Sequence, residues 1–119
     1  MFSNSSTLAE GYLSQAHIDI AKGDFDTAKL MAEAAIEVNP RYFEAFNTLG
    51  ICFIKGGDCI RALACFDISL QIQPNQPEAN SNKAVALEIL GEALGLKPID
   101  PAYMPLGCAI FVEEDNKND

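Results

Sequence analysis

The chain has 119 residues, 49% of them hydrophobic and 21% charged, with 17 acidic side chains against 8 basic ones and a formal net charge of −9 at pH 7. A chain of this length makes one domain with a modest core, and its acidity excludes nucleic acid as a partner, because a polyanion would be repelled instead of releasing counterions. The Lys and Arg residues are scattered, which also sets aside an anionic membrane surface, and no apolar run approaches the ~20 residues that span a bilayer.

The opening MFSNSSTLAE has no basic residue before Lys22 and no apolar core segment. It is not read as a secretory signal, so the cytoplasm is the expected compartment, where the formal sequon Asn4-Ser5-Ser6 is idle. Thr7-Leu8-Ala9-Glu10 reads as a capping box that opens a first helix to about Lys22, where Gly23 stops it. Asp24 caps a second helix to about Val38. A third covers roughly Tyr42–Lys55, Gly56-Gly57 turns the chain, and Asp58 starts a fourth that ends before Pro74. Pro77 suits the first turn of a fifth helix, reaching about Leu90. A sixth begins at Glu92–Leu96, but Gly95 weakens it, and Pro98, Pro101 and Pro105 forbid a continuous helix as long as the others.

These elements repeat. Pro40 and Pro74 lie 34 residues apart, and KGDFDTAKLMAEAAIEVNP before the first returns as KGGDCIRALACFDISLQIQP before the second. In units of Ala9–Tyr42, Phe43–Gln76 and Pro77–Ile110, small residues recur at Ala16, Gly50 and Ala84, and bulky ones at Tyr12 and Phe46. Glycine recurs at Gly23, Gly57 and Gly91, each followed by an acid, Asp24, Asp58 or Glu92. Ala28 and Ala62 correspond, as do Ala35/Ser69, Ile36/Leu70 and Val38/Ile72. Small residues let helices approach closely while large ones fill the grooves between ridges. Glycine closes a helix in the left-handed conformation, and the following Asp caps the next. A period of 34 is the length of a helix-turn-helix repeat unit.

At these residues the chain resembles the tetratricopeptide repeat family. The middle unit matches best, through Phe46, Leu49, Gly50, Phe53, Ala62, Phe66, Ser69 and Pro74. The first keeps Tyr12, Ala16, Ala28, Ala35 and Pro40 but has Gln15 and Asp19 where apolar residues are usual. In the third, Asn80 and Lys83 depart while Ala84, Leu87 and Gly91 hold, so the resemblance covers roughly residues 7–95. It implies an all-α fold: antiparallel helix-turn-helix repeats stacked as a short right-handed superhelix. The expected organisation is one domain over residues 1–112, made of units 9–42, 43–76 and a partial 77–96. Residues 97–112 would follow as an irregular cap, and 113–119 as an acidic solvated tail.

The missing last helix would leave large side chains wet, and three or four of them represent about 5–10 kcal/mol. Ile99, Tyr103, Met104, Leu106, Ile110, Phe111 and Val112 form an apolar supply unlike a disordered linker. Three outcomes are open: a cap over the last repeat, a homodimer through it, or a tail lying in the groove of the repeats.

The resemblance also implies a concave face built from the first helix of each unit. Its groove residues would be Glu10, Leu13, His17 and Ile20, then Glu44, Asn47, Ile51, Ile54 and Lys55, then Glu78, Ser81, Asn82, Val85 and Glu88. Co-chaperone members hold a C-terminal carboxylate with Lys, Asn, Asn, Lys and Arg. Those places carry Leu13, His17, Thr48, Glu78 and Asn82 here, so no cation remains for that ligand. Glu10, Glu44 and Glu78 form an acidic ladder one repeat apart, with two readings: favourable interaction with helix macrodipoles, or a rim that takes a basic protein.

Cys52, Cys59, Cys65 and Cys108 contain no C-x-x-C pair, and the single histidine, His17, lies in another unit, so metal-ligand spacing is missing. The cysteines read as small hydrophobes. No P-loop, nucleophile elbow or metal motif is present, and neither an enzyme nor a cofactor is expected. Two function classes remain. One is an adaptor or scaffold whose concave groove binds a peptide or helical segment of another protein. The other is a small acidic chaperone that holds a client, similar to the class II chaperones of type III secretion.

Overall fold

Gly23 and Gly57 are each followed by aspartate, a pairing that can close one helix and open the next. In the computed structural model, which describes residues 4–95, both glycines take the left-handed conformation, with φ of 81° and 85°. The two turns share their hydrogen bonds one for one. The Asp24 N–H donates to the Asp19 carbonyl at 2.8 Å, as that of Asp58 does to Phe53 at 2.8 Å; Gly23 donates to Ile20 at 2.9 Å, as Gly57 does to Ile54 at 3.0 Å. This is the paired closure that a left-handed glycine permits at a helix C-terminus. The Asp24 carboxylate then accepts from the Thr27 N–H at 3.2 Å and that of Asp58 from the Arg61 N–H at 3.1 Å, so the same dipeptide caps the next helix. The period in the sequence is a period in hydrogen bonds.

Five helices result among the described residues: α1 (Asn4–Ala21), α2 (Phe25–Val38), α3 (Phe43–Lys55), α4 (Cys59–Ile72) and α5 (Pro77–Ala93). There is no strand. Each helix packs on the next, α1 also touches α3, and α3 also touches α5. One layer therefore holds α1, α3 and α5, and the other holds α2 and α4. The architecture is an all-α repeat solenoid.

Small side chains set the spacing of the layers. Ala16, Ala28, Ala32 and Ala35 are wholly buried where α1 and α2 cross, in a core continued by Leu13, Ala45 and Leu49. A second core joins α3, α4 and α5 around Phe66, which is 0% exposed and packs with Cys59, Ala62 and Ala86. Gly50 lies against that ring. Burial pushes the Cys52 and Cys65 thiols up to about 11, so both are protonated and unreactive at neutral pH; Cys59 is buried and unbridged as well.

Two helix ends differ from the sequence expectation. α1 begins at Asn4, three residues before the Thr7 capping box, because Asn4, Ser5 and Ser6 contain no helix breaker and the helix gains a turn. α5 runs through Gly91 and Glu92 to Ala93, and Gly95, with φ of 75°, takes the left-handed turn instead. Glu92 is a poor cap where Asp24 and Asp58 are good ones, so the third unit does not stop where the first two do. Glu92 consequently lies inside α5, and no further helix opens at it among the described residues. Ala84 and Leu87, at register positions that are buried or half-buried in the second unit, are exposed. The expected cap at 97–112 and the tail at 113–119 lie outside the described residues, as does Cys108.

Asp19, in place of an apolar residue, is only 5% exposed. Its Oδ1 accepts from Gln15 Nε2 at 3.1 Å, and its Oδ2 has no partner. A buried carboxylate so poorly satisfied opposes folding. Asp19→Asn, which keeps the shape and removes the charge, is expected to raise the unfolding free energy by about 1 kcal/mol, read from urea denaturation. A loss of stability instead would mean that the carboxylate makes an interaction on which the hairpin depends.

Candidate functional site

With α1, α3 and α5 in one layer, side chains from the middle of α1 and the N-terminal parts of α3 and α5 bound a cavity of about 510 Å3. Its floor includes Leu13 and half-buried Ile51 and Tyr42. The walls carry Glu10, Ser14 and His17 from α1, Glu44, Asn47 and Thr48 from α3, and Glu78 and Asn82 from α5. The five places compared above with a carboxylate-holding set all meet here. No Lys or Arg lines the cavity among the described residues.

Hydrogen bonds fix the orientation of the wall. The Thr48 hydroxyl donates to the Glu44 carbonyl at 3.1 Å, which leaves its oxygen to accept from His17 Nε2 at 3.2 Å. The Tyr42 hydroxyl is held above its usual range by burial first and then by the charges of Glu44 and Glu10, so it stays a neutral donor beside two carboxylates.

Behind the wall, Gln76 ties three helices together. It is buried at 8%, and its Nε2 donates to the carbonyls of Ser69 at 3.0 Å and Gln73 at 2.6 Å. Its Oε1 accepts from Asn47 Nδ2 at 2.7 Å, and the Ser69 hydroxyl donates to the Phe43 carbonyl at 3.0 Å. Because Gln76 Oε1 demands a donor, Asn47 turns its amide nitrogen inward, and its own Oδ1 is left buried without a partner.

No protein-family model matches this chain, and no curated protein matches it. Of the residues expected in the groove, Glu10, Leu13, His17, Glu44, Asn47, Ile51, Glu78 and Asn82 meet around the cavity. Leu13 is 5% exposed, so it supports the floor from within the first core. Ile20 and Ile54 pack sideways, into the first and second cores respectively. Lys55 sits at the far end of α3, with its ammonium 5.9 Å from the Phe25 ring centroid. Ser81, Val85 and Glu88 are exposed on α5 and stand outside the cavity.

Ser14, Tyr42 and Gln76 were not expected at the site. A signal for Gln76 exists: it occupies the register place of Tyr42, just as Ser69 occupies that of Ala35, so two polar replacements arise together at one junction. A smaller cavity of about 240 Å3 lies between α2, α3 and α4. Its cations are engaged, Lys29 5.4 Å from the Phe53 centroid and Arg61 3.6 Å from the Asp58 carboxylate.

Proposed function

We propose that the protein is a non-catalytic interaction module of tetratricopeptide-repeat type, an adaptor that seats an extended or helical segment of another protein in the α1/α3/α5 groove. The observation that supports this reading is the convergence on one cavity of Leu13, Ile51, His17, Asn47 and Asn82 from all three helices. It combines an apolar floor with a few directional polar groups, the usual make-up of a recognition site. Its volume of about 510 Å3 suits side chains of a peptide. A segment lying along the groove would cross the three helices in turn and would be read by repeat-spaced positions. Such an adaptor does its work by bringing the bound segment to whatever else it contacts.

The test is selection of peptides from a random displayed library on the immobilised full chain. Recovered peptides are expected to lose at least about tenfold in affinity for Ser14→Arg and Asn82→Arg, which obstruct the groove. They should keep their affinity for Ile60→Arg, a change on the opposite layer at a residue 68% exposed. Peptides that ignore Ser14→Arg and Asn82→Arg but respond to Ile60→Arg would remove the groove from the function.

A further inference from the structure

Glu10, Glu44 and Glu78 stand at the same place in successive units and all line the cavity. A helix macrodipole stabilises acids only within the first turn, and Glu44 and Glu78 are so placed. Glu10 is not, because α1 starts at Asn4 and has no acid in its first turn. The ladder thus continues where the backbone field gives it no support. None of the three carboxylates takes part in an ion pair among the described residues, whose pairs are Arg61–Asp58 and Lys83–Asp67.

The uncharged groups lean the same way. Asn47 Oδ1 is a buried acceptor with no donor, fixed in that sense by the bond of its amide nitrogen to Gln76. The Tyr42 hydroxyl is raised first by burial and then by the charges of Glu44 and Glu10. With three carboxylates on its walls and no Lys or Arg among its lining residues as described, the groove repels an acidic segment and leaves a neutral one with unpaired charges around it.

We propose that the occupant of the groove is a protein segment bearing lysine or arginine on the face it presents, its cations set among Glu10, Glu44 and Glu78 and its apolar side chains on Ile51. This rests on the reading of the groove as a protein-binding surface and specifies its partner. Opposite charge on groove and segment speeds encounter and rejects acidic competitors, and the attraction is screened by salt.

The displayed-library peptides provide the test. They are expected to be enriched in Lys and Arg. Changing arginine to its neutral isostere citrulline in a selected peptide is expected to weaken binding about tenfold, and E44Q/E78Q to weaken the arginine peptide by a similar factor. The same double variant should leave the citrulline peptide unaffected, and the arginine preference should shrink in high salt. All three carboxylates belong to exposed residues, so glutamine there leaves the fold intact, checked by an unchanged far-UV circular dichroism spectrum at the binding temperature. Groove-dependent peptides without Lys or Arg enrichment, or an arginine peptide indifferent to E44Q/E78Q, would overturn the cationic partner while leaving the groove reading in place. Recovery of no groove-dependent peptide would overturn both.

Discussion

Phe66→Ala is expected to lower the unfolding free energy by about 3–5 kcal/mol. The ring is 0% exposed and is the largest wholly buried side chain among the described residues. It packs with Cys59 and Ala62 on its own helix and with Ala86 of α5, so its loss opens the junction between the second and third units. A domain of this size holds only about 5–15 kcal/mol in total, and the variant should be close to unfolding at room temperature. Far-UV circular dichroism during thermal and urea denaturation reads the effect. A cost below about 1 kcal/mol would mean that the ring does not fill the space described.

Gly50→Ala is expected to destabilise by about 1–3 kcal/mol, even though alanine is the better helix former by about 1 kcal/mol. A Cβ at position 50 would lie 2.5 Å from Cε1 and 2.7 Å from Cζ of Phe66, closer than any carbon contact tolerates. Since the ring is locked in the core, it cannot swing away cheaply. Phe66→Leu shortens the side chain and should recover part of the loss, so the double variant should cost less than the sum of the single ones. Gly91→Ala serves as the internal comparison, because nothing lies within 4 Å of a Cβ there and the residue is inside α5. That change should instead stabilise by about 0.5–1 kcal/mol. Equal signs at positions 50 and 91 would contradict the packing of α3 on α4.

Where a helix end carries its own chemistry, the sequence could be read closely. Gly23-Asp24 and Gly57-Asp58 combine a left-handed residue with a short capping carboxylate, and α2 and α4 begin directly after them. Pro77 likewise opens α5. The Thr7 capping box places the start of α1 three residues late, because Asn4, Ser5 and Ser6 carry no chemistry that would stop the helix there. The end of α5 was misread because Gly91 keeps the period, whereas Glu92 has a side chain too long to imitate Asp58. Periodicity located the residues, and capping geometry decided what they did.

The lining of the cavity was legible through repeat spacing at Glu10, Glu44 and Glu78, and through the family resemblance at Asn47 and Ile51. Spacing alone does not separate a groove wall from a core, however. Leu13 belongs to the first core and lines the cavity as well, while Ile20 and Ile54 join the packing between helices. The bridge from Asn47 through Gln76 to Ser69 spans three helical segments, and a glutamine just before Pro77 resembles an ordinary polar linker until α3 and α4 are brought beside it. Its effect on the site is to turn Asn47 so that the acceptor oxygen is left without a partner.

The most direct measurement is backbone-amide NMR of the labelled full chain during titration with a library-selected peptide. The groove assignment predicts that shifts concentrate at Glu10, His17, Asn47, Ile51, Glu78 and Asn82, while Leu30, Ile60 and Ile68 on the α2/α4 layer stay in place. Shifts confined to Leu30, Ile60 and Ile68, with the α1/α3/α5 residues unmoved, would place the binding surface on the opposite layer and contradict the assignment.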